Sequence, residues 1–102
     1  NADLRGADLR GVNLSGSNLR DANLDGADLS GANLTQVDWS GADLYDSDLA
    51  DASLVEANLA GAKFTGANLT RADLTGANVT DDTGFIGATL TGATMPDGSK
   101  HP

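Results

Sequence analysis

The residues of this chain best suited to chemistry are its carboxylates. Fifteen Asp and Glu stand against six Lys and Arg. The run Asp46-x-Asp48-x-x-Asp51 resembles a set of oxygen ligands for a hard cation. The calcium loop of helix–loop–helix proteins, however, needs a ligand where Ala50 stands and a glycine where Asp51 stands. The nonapeptide calcium-binding repeat is also absent, so no metal site is expected. Acid–base or nucleophilic catalysis would need a positioned partner for one of these carboxylates. The one histidine, His101, lies at the far C-terminus, and there is no cysteine. No Ser–His–Asp arrangement can be assembled from that set. The glycines recur every five residues and do not match phosphate-binding spacings. The expectation is a non-enzyme with no catalytic residues and no cofactor.

Composition narrows the class further. The net charge of −9 opposes direct nucleic-acid binding, which needs clustered Lys and Arg. It suits solubility or a basic partner. No apolar run is long enough to span a membrane. Without cysteine the redox compartment stays open, and cytoplasm, periplasm and thylakoid lumen are all compatible. Only four of 102 residues are aromatic, which predicts a narrow core of many similar layers.

The elements that position these side chains follow from a period of five. An apolar residue recurs without a slip at Leu4, Leu9, Leu14, Leu19, Leu24, Leu29, Leu34, Trp39, Leu44, Leu49, Leu54, Leu59, Phe64, Leu69, Leu74 and Val79. Two residues earlier the chain favours Ala, with Val12, Val37, Ser17 and Ser47 as exceptions. One residue earlier it favours Asp or Asn, with Ser53 and Lys63 as exceptions. Two residues later it favours Gly, replaced by Asp21, Gln36, Asp46, Asp51, Glu56, Arg71 and Asp81. On an α-helix, five residues turn by about 500°, so the leucines would spiral and form no stripe. On a flat strand they would alternate faces. The pattern works if each unit is extended through Ala and Leu, then turns. Each unit becomes one side of a closed polygon with Ala and Leu inside, and successive coils pair at about 4.8 Å. Asp and Asn bond nearby backbone in turns, and Gly accepts the positive φ that tight turns need.

Ala27-Asp28-Leu29-Ser30-Gly31, Ala67-Asn68-Leu69-Thr70 and Ala72-Asp73-Leu74-Thr75-Gly76 closely resemble the units of the pentapeptide-repeat family. The resemblance covers roughly residues 1–80. It implies an all-β fold: a right-handed quadrilateral β-helix with four units per coil, hence about four full coils plus a partial C-terminal one. Leu4, Leu24, Leu44 and Phe64 would then stack on one side, and Leu19, Trp39, Leu59 and Val79 on another. Asp8, Asp28 and Asp48 would share a column. The expected domain is 1–95, with regular repeats over 1–80 and an irregular closing coil over 81–95. In that coil the register slips by one residue and resumes at Phe85, Leu90 and Met95. Pro96 stops it, and residues 96–102 form a loose tail. The Met95-Pro96-Asp97-Gly98 ending is similar to endings of cyanobacterial members.

At the N-terminal end no cap is evident. The chain starts in mid-pattern without an initiator Met, and Leu4, Leu9, Leu14 and Leu19 form a candidate stacking end. Three readings compete: a piece of a longer solenoid, a homodimer stacked end to end, or an end that tolerates exposure. The net charge is confined to residues 21–56, which hold nine acids and no base. Asp28, Asp43 and Asp48 are repeat consensus, whereas Asp21, Asp25, Asp46, Asp51 and Glu56 exceed it. The candidate partner-binding face is Asp25, Asp28, Asp43, Tyr45, Asp46, Asp48 and Asp51. Tyr45 is expected to point outward, while Trp39 fills the core with Leu24, Leu29, Leu34, Leu44, Leu49, Leu54, Leu59, Phe64, Leu69, Leu74 and Val79. The functional expectation is a structural or protein-interaction module with an acidic surface. The alternative, which the family resemblance implies, is a DNA-mimicking inhibitor or protector of a DNA-binding enzyme such as DNA gyrase.

Overall fold

The structure is a computed structural model and describes residues 2–102. The chain winds as a β-helix solenoid in which each side pairs with the side twenty residues later. Parallel bridges run from Asp3↔Asn23 through Asn58↔Asn78 at that constant offset. Four five-residue units therefore close one coil. The first side carries Leu4, Leu24, Leu44 and Phe64. The second carries Leu9, Leu29, Leu49 and Leu69, the third Leu14, Leu34, Leu54 and Leu74, and the fourth Leu19, Trp39, Leu59 and Val79. No α-helix occurs among the described residues.

The repeat consensus follows from one unit's hydrogen bonds. Ala7 N donates to Leu4 O at 3.1 Å, closing a four-residue turn whose third residue, Gly6, has φ +64°. Arg5 before it keeps a negative φ, so the turn has the type II pattern, which favours glycine at its third position. Between coils, Leu4 N donates to Asn23 O at 2.8 Å, Asn23 N to Ala2 O at 2.9 Å and Gly6 N to Asp25 O at 2.9 Å. Each side is tied to its neighbour at its middle and at its corner.

Inside, Leu24, Leu29, Leu34, Trp39, Leu44, Leu49, Leu54, Leu59, Phe64, Leu69 and Leu74 are fully buried. Each buried Leu contributes roughly 1.5–3 kcal/mol. The alanine column lies beside them, and Ser47, which replaces one Ala, donates its hydroxyl to Leu44 O at 2.8 Å. An aromatic series crosses the coils: Trp39 tilts against Phe64 at 6.4 Å, and Phe64 stacks on Phe85 at 5.3 Å. Trp39 Nε1 is buried with no hydrogen-bond partner.

At the C-terminal end the one-residue slip read from the sequence appears as a pairing offset of 21 at Lys63↔Gly84, Asn68↔Thr89 and Asp73↔Thr94, and three details there depart from the sequence reading. The extra residue is absorbed at the 80–83 corner, where Thr83 Oγ1 donates to Leu59 O at 2.7 Å. Asp81, grouped above with the glycine substitutes, is therefore not among the positive-φ residues. Val79 is 39% exposed rather than a core residue, because the last coil has three sides and no described residue covers the fourth. The expected loose tail instead turns back: Thr94 and Lys100 form an antiparallel bridge, Met95 N donates to Ser99 O at 2.7 Å, and His101 N donates to Ala93 O at 2.8 Å. Residues 99–101 thus lie along the third side, where a further coil would pair.

Six corners hold a non-glycine residue at positive φ: Asp21, Gln36, Asp46, Asp51, Glu56 and Arg71. An L-residue there costs roughly 1–2 kcal/mol, partly offset by the larger unfolded-state entropy of glycine. Gln36→Gly is expected to raise stability by about 0.5–1 kcal/mol in urea unfolding, and an unchanged midpoint would count against the strain. For the reverse change, a Cβ on Gly31 would meet nothing within 4 Å, and one on Gly41 would meet only the Asp21 carboxylate, the end of an exposed side chain that can swing aside. Gly41→Ala and Gly31→Ala should therefore both cost chiefly the positive-φ strain.

Candidate functional site

The acidic residues fall into three positions on the wall. Asp28, Asp43 and Asp48 occupy the column just before the buried Leu, at the bridging residue of each side. Most members of this column accept a backbone bond from two residues ahead. Asp28 Oδ1 takes Ser30 N at 3.1 Å, Asp48 Oδ1 takes Ala50 N at 3.0 Å, and Asn33, Asn58 and Asn68 make the same contact. Such local bonds preorganise a turn, so Asp or Asn here has a structural role whatever its charge does. Asp43 departs from this pattern. Tyr45 N, the donor it would use, points instead to Asp25 Oδ1 on the neighbouring coil at 3.3 Å.

Asp46 and Asp51 sit at corners, in the left-handed positions where glycine is the easier occupant. Asp21 and Glu56 do the same one corner away, so four of the five acids in excess of the repeat pattern occupy strained backbone. Asp25 is the fifth, on the open wall of the first side. Tyr45, one coil on in that column, is 43% exposed.

The structure thus brings together Asp25, Asp43 and Tyr45 on the first side, Asp46 at its corner, and Asp28 and Asp48 on the second side. Asp51 lies at the next corner. There the Arg71 guanidinium forms a paired contact to it, at 2.8 and 3.1 Å, and holds its carboxyl below the usual range. Asp28 lies 4.0 Å from Arg10. The carboxylates of Asp43 and Asp46 meet no hydrogen-bond donor among the described residues. The part of the surface whose carboxylates meet no donor is therefore centred on Asp43 and Asp46, with Tyr45 beside them; Asp25 accepts Tyr45 N and faces the Arg5 charge, and Asp48 accepts Ala50 N. Sequence reading did not reach the Asp51–Arg71 pair, although their spacing of twenty residues is the coil offset.

The first coil is electrostatically different. Arg5 and Arg10 bond Asp3 and Asp8 at 2.8 and 2.7 Å, and Arg20 approaches Asp38 at 3.9 Å. Hydrogen bonding from the Arg5 and Arg10 guanidinium groups lowers Asp3 and Asp8 to about 2. A depressed carboxylate pKa adds stability that is present above the ordinary aspartate value, about 3.9, and is lost as pH falls through the folded value. Thermal stability should hold above about pH 5 and decline between about pH 4 and 2. In Arg71→Ala, Asp51 should titrate at a higher pH than in the parent, as read from its carboxyl carbon shift. An unmoved titration would show that the pair is not formed in solution.

The interior offers no cavity among the described residues, and no three His, Asp or Glu side chains converge to hold a metal ion there. No helix is long and apolar enough to cross a membrane. At the N-terminal end Leu4, Leu9, Leu14 and Leu19 are half-buried against the core.

The sequence pattern of the family described as Pentapeptide repeats matches in 8 copies, over residues 1–36, 22–59 and 42–81. Among solved structures, a pentapeptide repeat protein from the cyanobacterium Cyanothece 51142 is similar, with 36% identity over 81% of this chain and a TM-score of 0.80. One from the Arabidopsis thaliana thylakoid lumen has 38% identity over 96% of the chain and a TM-score of 0.63. HetL from Nostoc, a pentapeptide repeat protein involved in heterocyst differentiation regulation, has 34% identity over 98% and a TM-score of 0.53. This chain spans 56% of the length of the Cyanothece protein, 71% of the Arabidopsis protein and 54% of HetL. A search of curated protein sequences gives no match.

Proposed function

The chain belongs to the pentapeptide-repeat family, and from that premise we propose that it is a non-enzymatic protein-interaction module, part of a longer protein, whose acidic wall docks a basic partner. In this reading the solenoid is right-handed, as the family resemblance implies, with about four full coils and a partial fifth. The docking face is Asp25, Asp28, Asp43, Tyr45, Asp46 and Asp48, with Asp51 at its margin.

The observation that carries this reading is the placement of the excess acids. On this face Asp46 and Asp51 stand at positive φ, where glycine would relieve strain, so these side chains are kept there against a stability cost. Asp43 and Asp46, lacking internal donors, are free to meet an incoming Lys or Arg. Tyr45 supplies a rigid amphipathic anchor of the kind enriched at interfaces. A filled interior leaves the wall as the surface on which recognition can occur.

The test is capture from a cyanobacterial extract on the immobilised chain, with identification by mass spectrometry. The same capture is run with the variant Asp25→Asn/Asp43→Asn/Asp46→Asn/Asp48→Asn. A basic partner should be retained by the parent, released by raised salt and lost by the variant. Identical retention by both would overturn the assignment. The similarity to a thylakoid-lumen protein makes the lumen the first compartment to test.

The alternative reading, a DNA-mimicking inhibitor or protector of an enzyme such as DNA gyrase, draws on the Asp8–Asp28–Asp48 column. The solenoid's 32 Å length matches about nine base pairs of duplex. It predicts salt-sensitive inhibition of gyrase supercoiling that the same variant abolishes, and no effect on supercoiling would rule it out.

A further inference from the structure

Resting on the acidic-wall reading above, we propose that the partner meets the first side of the solenoid with an amphipathic α-helix laid along the rod axis. Lys or Arg of that helix face Asp43 and Asp46, and two of its apolar residues, seven apart, cover Tyr45 and Ile86. The backbone ladder orders this surface. Gly26 N donates to Tyr45 O at 2.8 Å, Asp46 N to Thr65 O at 2.9 Å and Gly66 N to Ile86 O at 3.0 Å. Tyr45, Thr65 and Ile86 therefore follow one another in a single outward column, one coil apart.

The column changes character along the rod. Ile86 is 78% exposed and Tyr45 43%, the two most exposed large apolar side chains among the described residues. Glycines surround Ile86: Gly84 and Gly87 flank it in sequence, and Gly66 pairs with it from the neighbouring coil. Lys63, one coil before Gly84, is engaged with Asp82 O. Around Tyr45 the wall is acidic instead. Asp43 shares its coil, and the Asp46 carboxylate leans along the rod to where a Cβ on Gly66 would stand. An apolar anchor thus stands at each level, with free carboxylates at only one of them.

Spacing selects the helix. Tyr45 and Ile86 are two coil spacings apart, about 9.6 Å. On an α-helix, residues seven apart rise about 10.5 Å and differ by about 20° in direction, so one face covers both anchors, as in helices bound through their i and i+7 positions. An extended strand repeats its same-face residues at about 6.8 and 13.6 Å. It reaches one anchor and misses the other by about 3–4 Å. Helix residues three or four beyond the first apolar position rise about 4.5–6 Å and project beside it. That brings a basic side chain to Asp46, displaced along the rod by about one coil spacing, while a base on the opposite flank reaches Asp43.

The probe is an alanine-rich peptide of about 18 residues, long enough to be helical, with leucines seven apart and lysines flanking the first. Its control has the same composition with leucines five apart, about 140° around the helix. In fluorescence anisotropy the full chain should bind the probe roughly tenfold more tightly than the control. Ile86→Ser and Tyr45→Ser should each weaken the probe roughly tenfold while leaving the far-UV spectrum of the chain unchanged. Asp43→Asn/Asp46→Asn should weaken it and flatten its salt dependence. Equal affinity for the two peptides, binding of neither, or indifference to Ile86→Ser would overturn the helix. The capture experiment separates this inference from the reading it rests on. Retention lost in the fourfold Asn variant but undiminished by Ile86→Ser overturns the helix alone. Retention indifferent to the fourfold variant overturns the acidic wall and the helix with it.

Discussion

Trp39→Ala is expected to cost about 3–5 kcal/mol, enough to lower the melting temperature by roughly 15 °C in a chain of this size. Trp39 is the largest side chain of the core and fully buried. Its layer is bounded by coils above and below that pair through the backbone at a fixed spacing, so the walls cannot collapse into the vacated volume. Trp39→Phe should behave very differently. The indole Nε1 has no partner, and an unsatisfied buried donor costs roughly 1–3 kcal/mol. Removing it offsets most of the lost contact, and the phenylalanine variant should stay within about 1 kcal/mol of the parent. Urea unfolding of the two variants measures the contrast. Equal losses would mean that the indole N–H finds a partner in solution.

The second large effect is expected at Phe64. Its ring is shared between Trp39 and Phe85, stacked on the latter at 5.3 Å and nearly parallel. Phe85 is only half-buried, and the last coil lacks a fourth side to brace it. Phe64→Ala should cost about 3–5 kcal/mol and should loosen residues 81–101 in particular, since each repeat is stabilised only by its neighbours. Hydrogen exchange gives the readout. The Gly84 and Thr89 amides, which donate to Ala62 and Ala67, should lose protection, while the Asp43 and Asp48 amides in the middle keep it. Uniform loss along the chain would show that the solenoid opens as one unit.

The layered interior was legible because each layer is set locally: an inward Leu, an inward Ala and a turn repeat within five residues. The number of sides was not legible from the period, which permits several polygons, and came from the family resemblance. What the sequence reading missed depends on contacts across coils. Val79 obeys the pattern yet is exposed, because its burial depends on a side that Pro96 and the returning tail prevent. Asp81 occupies a glycine position in sequence, but the extra residue at the 80–83 corner changes its backbone. Ser99 and His101 carry no strand signal of their own and are held by the free edge of Ala93 and Met95. Among the candidate site residues, Asp43 looks equivalent in sequence to Asp28 and Asp48. It differs because Tyr45 N bonds Asp25 on the neighbouring coil.

The twenty-residue offset converts changes in chain length into angles. Removing or adding one five-residue unit leaves every inward residue inward but turns everything downstream by a quarter revolution. Twenty residues change the length of the rod and leave its two parts unturned. The single extra residue near Thr83 does neither, since Phe85 still stacks beneath Phe64. Descent by unit-sized duplications can therefore re-aim a patch such as Tyr45 and Asp46 around the axis without rebuilding a core, so the direction a surface faces can change separately from what that surface is made of.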